Sequence, residues 1–157
     1  MIQQGQTLPA STLSELTSDG MVNHEVETLF KDKKVVLFAV PGAFTPTCSE
    51  AHLPGFIVLA DKLKEKGVDL ICCVSVNDAF VMKAWGDSQN ASELMMLADG
   101  DGAFTKAIGL DMDTASFGGV RSQRYAMIVD NGVVTQLNVE APSQFEVSTA
   151  EAILKAL

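Results

Sequence analysis

The chain's 157 residues, 47% apolar and 20% charged, have the length and composition of one globular domain spanning 1–157, which excludes a disordered, collagen-like or coiled-coil protein. Eleven Lys and Arg against twenty Asp and Glu leave a net charge of −9, and such a surface repels phosphate backbones and anionic headgroups, so neither nucleic acid nor a membrane is an expected partner. Three cysteines, two of them adjacent at 72 and 73, do not make a disulfide framework and suit a reducing compartment.

The N-terminal MIQQGQTLPA has no basic flank or apolar stretch, and the longest apolar run, 35–40, is far too short to span a bilayer, so a soluble, cytoplasmic protein is expected. That run, VVLFAV, is an unbroken β-branched and aromatic stretch stopped by Pro41-Gly42, and it predicts a central strand buried on both faces. After the loop PGAFTPT, the apolar spacing of Leu53, Phe56, Ile57, Ala60 and Leu63 predicts a helix over 49–66 that stops at Gly67 and kinks at Pro54-Gly55. VDLICCVSV, 68–76, predicts a second buried strand, so the three elements form a βαβ unit with a right-handed crossover. A helix over about 78–85, a short strand over 94–98, a DGDG turn and a short helix over 103–108 follow. Asp130-Asn131-Gly132 between two β-rich runs predicts an antiparallel hairpin, and Ser148-Thr149 starts a terminal helix. This order resembles a thioredoxin-like fold: an α/β protein with a central mixed β-sheet flanked by helices.

Cys48 follows the first strand-to-loop transition and opens the first long helix, where unpaired N–H groups and the helix dipole favour an anion and hence a thiolate. Two registers serve: Thr45 as N-cap with Pro46 at the first helical position, or Thr47 as N-cap with Glu50 closing a capping box. Glu50 opposes a second negative charge nearby, so a cation is needed. The alternative is that Cys48 is only a small residue at a helix start. A dithiol oxidoreductase of this topology would carry Cys-x-x-Cys here, but the residues are Thr45-Pro46-Thr47-Cys48, so a lone sulfur beside a hydroxyl is set to attack a small electrophile.

PGAFTPTCS, 41–49, resembles the Pro-x-x-x-Thr-x-x-Cys signature of peroxiredoxins, and the HLPGF beginning at His52 resembles the peroxiredoxin-5 type, as do SVNDAFVMKAW at 75–85 and SQRYAMIVDNGVV at 122–134. The resemblance implies a thiol peroxidase in which Cys48 attacks hydrogen peroxide or an alkyl hydroperoxide and becomes a sulfenic acid. It implies that Thr45 orients sulfur and peroxide, that Pro41 shields the thiolate from bulk water, and that Arg124 is the active-site arginine, supplying the missing cation. Arg121 is expected to meet Glu50 or solvent. The resemblance also implies a homodimer formed near the active-site loops. A competing reading is a redox sensor or chaperone-like binding protein that uses the same oxidation to change its association.

His52, one helical turn beyond Cys48, is expected beside the substrate site rather than as the base of a Cys–His hydrolase, because no oxyanion loop accompanies it. Phe44 and Phe117 are expected to line an apolar peroxide pocket, and His24 has no partner pattern. Cys48, His52, Cys72 and Cys73 lack metal-ligand spacing, and DGDG at 99–102 lacks the other positions of a calcium loop, so no metal or other cofactor is expected. No cysteine follows Cys73, which rules out a C-terminal resolving thiol. Cys73 occupies the place of a resolving cysteine in plant relatives of the subfamily, yet Cys72 and Cys73 read first as small core residues on opposite faces of a strand. The expected reductant is therefore external: glutathione, with or without glutaredoxin, and then thioredoxin.

Overall fold

The structure, a computed structural model, describes residues 1–157. Strands β1 (Thr12–Thr17) and β2 (Gly20–Glu25) form a hairpin, and a single turn α1 (Val26–Leu29) leads to β3 (Lys34–Ala39). A π-helical turn (Cys48–His52) runs into α2 (Leu53–Glu65), followed by β4 (Leu70–Ser75), α3 (Ala79–Ser88), β5 (Met95–Ala98) and α4 (Ala103–Ala107). The short strands β6 (Asp111–Asp113) and β7 (Val120–Ser122) flank a 3-10 turn, and β8 (Tyr125–Asp130), β9 (Val133–Val139) and α5 (Ala150–Ala156) complete the chain.

A seven-stranded mixed sheet in the order β2-β1-β5-β4-β3-β8-β9 forms the centre. β3, β4 and β5 are parallel, β8 is antiparallel to β3, and the β8–β9 hairpin turns through Asn131 and Gly132 with φ of 49° and 81°, as an Asn-Gly turn favours. Alternation along β3 divides the core. Val36, Phe38 and Val40 face α2, α3 and α5, while Val35, Leu37 and Ala39 face the layer that includes α1 and α4. Cys73 lies in the first layer with Cys48, and Cys72 lies in the second.

The expected helix over 49–66 departs from the sequence reading in one respect. Pro54 does not kink it but sits in the first turn of α2, where its missing N–H costs nothing, and the irregularity falls just ahead, where the Leu53 amide donates to the Cys48 carbonyl five residues back. The β1–β2 and β6–β7 pairs have no counterpart in the expected elements. Only Leu13 of the first pair and Ser122 of the second are fully buried, so neither pair carries a full apolar face. No helix is long and apolar enough to cross a membrane.

Candidate active site

β3, an interior strand, ends at Ala39, and the loop beyond it passes through Phe44 at φ 65°. Ser49 N–H donates to the Thr45 carbonyl (2.9 Å), which fixes the register with Thr45 at the cap position and Pro46 at the first helical residue. Thr47 is already helical and its side chain caps nothing. Cys48, fully buried, therefore sits in the first turn, and its sulfur joins the layer beneath α2.

Arg124, immediately before β8, reaches the sulfur from the strand next to β3, on the same face of the sheet. Its Nη2 donates to Cys48 Sγ at 3.2 Å, and its Nη1 donates to His52 Nδ1 at 2.9 Å. His52 is fully buried and its Nε2 lies 2.9 Å from the Ser148 carbonyl. A guanidinium can only donate and a carbonyl can only accept, so the ring is neutral, with its proton on Nε2 and its lone pair on Nδ1. Burial, reinforced by the Arg124 charge, pushes its pKa down to about 3, against the weaker upward pull of Ser148 and Glu140. Phe38, Phe56 and Phe145 pack around the ring at centroid distances of 5.0, 5.6 and 5.1 Å, and Phe145 also lies under the guanidinium at 5.8 Å.

Thr45 Oγ1 donates to the Gly42 carbonyl at 2.7 Å, which leaves its lone pairs free to accept. Gly42 is buried, and a Cβ there would come within 3.2 Å of Thr45 Cγ2. A cleft of ≈ 550 Å³ opens beside the arginine, lined among others by Pro41, Thr47, Met112, Arg124, Glu140 and Phe145. Of the residues expected around a pocket, His52 is behind Arg124 rather than in the wall, and Phe44 and Phe117 are 55% and 71% exposed and outside it. The cleft's own apolar lining includes Met112 and Phe145. Neither carries a sequence signature, and Phe145 sits in a stretch notable at sequence level only for holding no cysteine.

Arg121 meets neither Glu50 nor solvent alone. Its Nη1 donates to the Val76 carbonyl and its Nε to the Gly118 carbonyl, while Glu50 is exposed and outside the protein's ion pairs. His24 has a partner after all, Glu15 across the first hairpin at 2.9 Å. In the DGDG turn the Asp99 and Asp101 carboxylates accept the Phe104, Thr105 and Ala103 amides, which makes it the start of α4. Nowhere do three His, Cys, Asp or Glu side chains converge as metal ligands would.

Cys72 and Cys73 are fully buried on β4, between β3 and β5, and burial pushes both thiols above the ordinary range. Nearby sulfur charge adds to this at Cys73, and Arg124 opposes it.

The family profile described as Redoxin matches residues 3–154. Peroxiredoxin-2C of Oryza sativa subsp. japonica is 52% identical, over 98% of this chain and 96% of its own. Reduced Prx3 of Vibrio vulnificus, solved in complex with hydrogen peroxide, superposes with a TM-score of 0.98 at 77% identity over 99% of both chains. Peroxiredoxin 5 of Alvinella pompejana superposes with a TM-score of 0.87 at 35% identity over 99% of this chain and 97% of its own. With sequence and backbone shared from end to end, the chain belongs to the Redoxin family and is a peroxiredoxin, a thiol peroxidase of thioredoxin-like fold.

Proposed function

We propose that Cys48 is the peroxidatic nucleophile and that Arg124 and Thr45 complete its site. The observation that carries this reading is the 3.2 Å contact from Arg124 Nη2 to Cys48 Sγ, because a permanently charged donor against a buried sulfur favours the thiolate that attack requires. The thiolate attacks the distal oxygen of the peroxide, the O–O bond breaks, and the departing oxygen takes up a proton as water or alcohol while Cys48 becomes a sulfenic acid. The Thr45 hydroxyl accepts the peroxide O–H, the guanidinium N–H groups stabilise charge building on the oxygens, and Pro41 in the cleft wall limits bulk water. The cleft's size and its Met112 and Phe145 surfaces suit an alkyl hydroperoxide as well as hydrogen peroxide.

Arg124→Ala tests the pairing. Peroxide reduction at neutral pH is expected to fall about ten-fold or more, as happens when a charge-stabilising donor is lost, and the pH–rate profile is expected to move to higher pH. An unchanged profile would remove Arg124 from the site.

Glutathione, with or without glutaredoxin, is the reductant we favour, followed by thioredoxin. One thiol condenses with the sulfenic acid, releasing water and leaving a mixed disulfide at Cys48; a second thiol then frees Cys48 and leaves as the oxidised disulfide. Cys73 is committed to ladder pairing with Phe38 on one side and Met96 on the other, which supports an external thiol over an internal one. After one equivalent of peroxide without thiol, intact-protein mass should rise by one oxygen and peptide mapping should find no Cys48–Cys73 bond. Added glutathione should then give one adduct, at Cys48. A dominant Cys48–Cys73 crosslink would replace this route with a two-cysteine one.

The protein acts as one domain over 1–157 and, in this reading, as a homodimer. Phe44, Phe117 and Val120, with Phe80 at 66% exposure, leave apolar surface on segments around the site, which supports pairing near the active-site loops. Three free cysteines accord with residence in the reducing cytoplasm.

A further inference from the structure

Glu140 has no part in the chemistry described above, yet it is 8% exposed and a single oxygen, Oε2, accepts from Glu146 N (2.8 Å), Val147 N (3.0 Å), Ser148 N (2.8 Å) and Ser148 Oγ (2.7 Å). It also stands opposite Arg124 where β9 leaves β8, and its amide donates to the Arg124 carbonyl at 3.0 Å. We infer that Glu140 is a positioning residue for the Arg124 guanidinium, acting through Ser148 and His52.

A neutral imidazole has one donating and one accepting ring nitrogen, and its surroundings decide which is which. With N–H and Oγ of Ser148 both held by Glu140, the Ser148 carbonyl has a fixed direction, and it points at His52 Nε2. An acceptor there places the ring proton on Nε2 and leaves Nδ1 as the acceptor for Arg124 Nη1. If the carbonyl shifts, the other tautomer becomes available, and an Nδ1–H would face the N–H of the guanidinium, donor against donor. Arg124 would then lose the contact that holds its other nitrogen on the sulfur. Burial works to raise the Glu140 carboxyl, but the Ser148 hydroxyl and the amides of residues 146–148 outweigh it and hold the carboxyl below its usual range, so the anchor remains an ionised acceptor at neutral pH.

This role rests on Cys48 and Arg124 being the reacting pair, and the test separates the two claims. The ultraviolet absorbance of the thiolate, titrated against pH in the full-length protein, reads Cys48 without turnover, because the Cys72 and Cys73 thiols are pushed above the range by burial. Glu140→Gln should move the midpoint up by about half a pH unit, roughly a threefold loss of thiolate below it, with kcat/KM for peroxide falling to match. In a His52→Leu background the same substitution should add nothing, since the relay is already cut. An unchanged midpoint, or an equal shift in both backgrounds, would overturn the assignment, whatever happens to thermal stability. Should Glu140→Gln not fold, Glu140→Asp keeps the charge on a shorter stem; its shift should have the same sign and the same dependence on His52, and a shift independent of His52 overturns the assignment equally. A wild-type protein that consumes no peroxide with any thiol would defeat the peroxidatic reading, and the titration would still decide the role of Glu140.

Discussion

Cys48→Ser is expected to abolish thiol-dependent peroxide reduction, a loss of at least about a thousandfold, as removal of a catalytic nucleophile produces. The replacement is nearly isosteric, so Arg124 would still donate to the side chain, but to a neutral hydroxyl rather than to a thiolate. Neither remaining sulfur can substitute. Cys72 faces the other layer of the core, and Cys73, though in the same layer, is fully buried with its thiol pushed up by burial. Cys72→Ser and Cys73→Ser should therefore keep most of the wild-type rate. Each places a hydroxyl among apolar neighbours, so their cost should appear instead as about 1–3 kcal/mol of stability. Peroxide consumption by the three purified variants with a glutathione system checks this, and full activity in Cys48→Ser would remove the sulfur from the reaction.

The elements that frame this site are legible because their local signals agree with the fold. The run at 35–40 is apolar on both faces, as a strand between two helical layers must be, and Asn131-Gly132 supplies the positive φ values its turn needs. Cys48 is legible through its place after that strand. The N-terminal hairpin is not, because β2 lies at the sheet's edge with largely exposed residues and has no periodicity to display. The π-helical turn escapes for a different reason: Pro54 signals a disturbance, but whether the helix kinks or widens before it depends on tertiary packing around His52 and Phe56. Phe44 and Phe117 are apolar residues left on the outside, a placement that composition does not foresee. The connection from Cys48 through Arg124 and His52 to Ser148 joins residues 76, 72 and 96 positions apart at its three links, so no local pattern marks it. Resemblance points to Arg124; only the fold shows what holds it.

Burial of His52 beside the Arg124 charge is expected to make the protein acid-sensitive. His52 titrates near 6.5 when unfolded and near 3 in the native state, so it is a group whose folded pKa is depressed. Its contribution to stability is complete above about pH 6.5 and is lost as pH falls toward 3, because the unfolded chain takes up the proton first. By pH 4 the difference amounts to about 3 kcal/mol, a large share of the 5–15 kcal/mol typical of a domain. Glu140, also depressed, adds loss of the same sign at lower pH. Opposing both, acid reduces the net charge of −9 and with it the general repulsion. His52→Leu isolates the histidine, since it keeps the other terms and removes this one. Unfolding free energies from urea titrations at pH 7 and pH 4 should therefore fall more for the wild type than for His52→Leu, by about 3 kcal/mol. Equal slopes would mean that the ring is charged or solvated in the native state. A charged ring has no lone pair for Arg124 Nη1, so the loss of stability should be accompanied by slower alkylation of Cys48 at a given pH than the thiol's own titration explains.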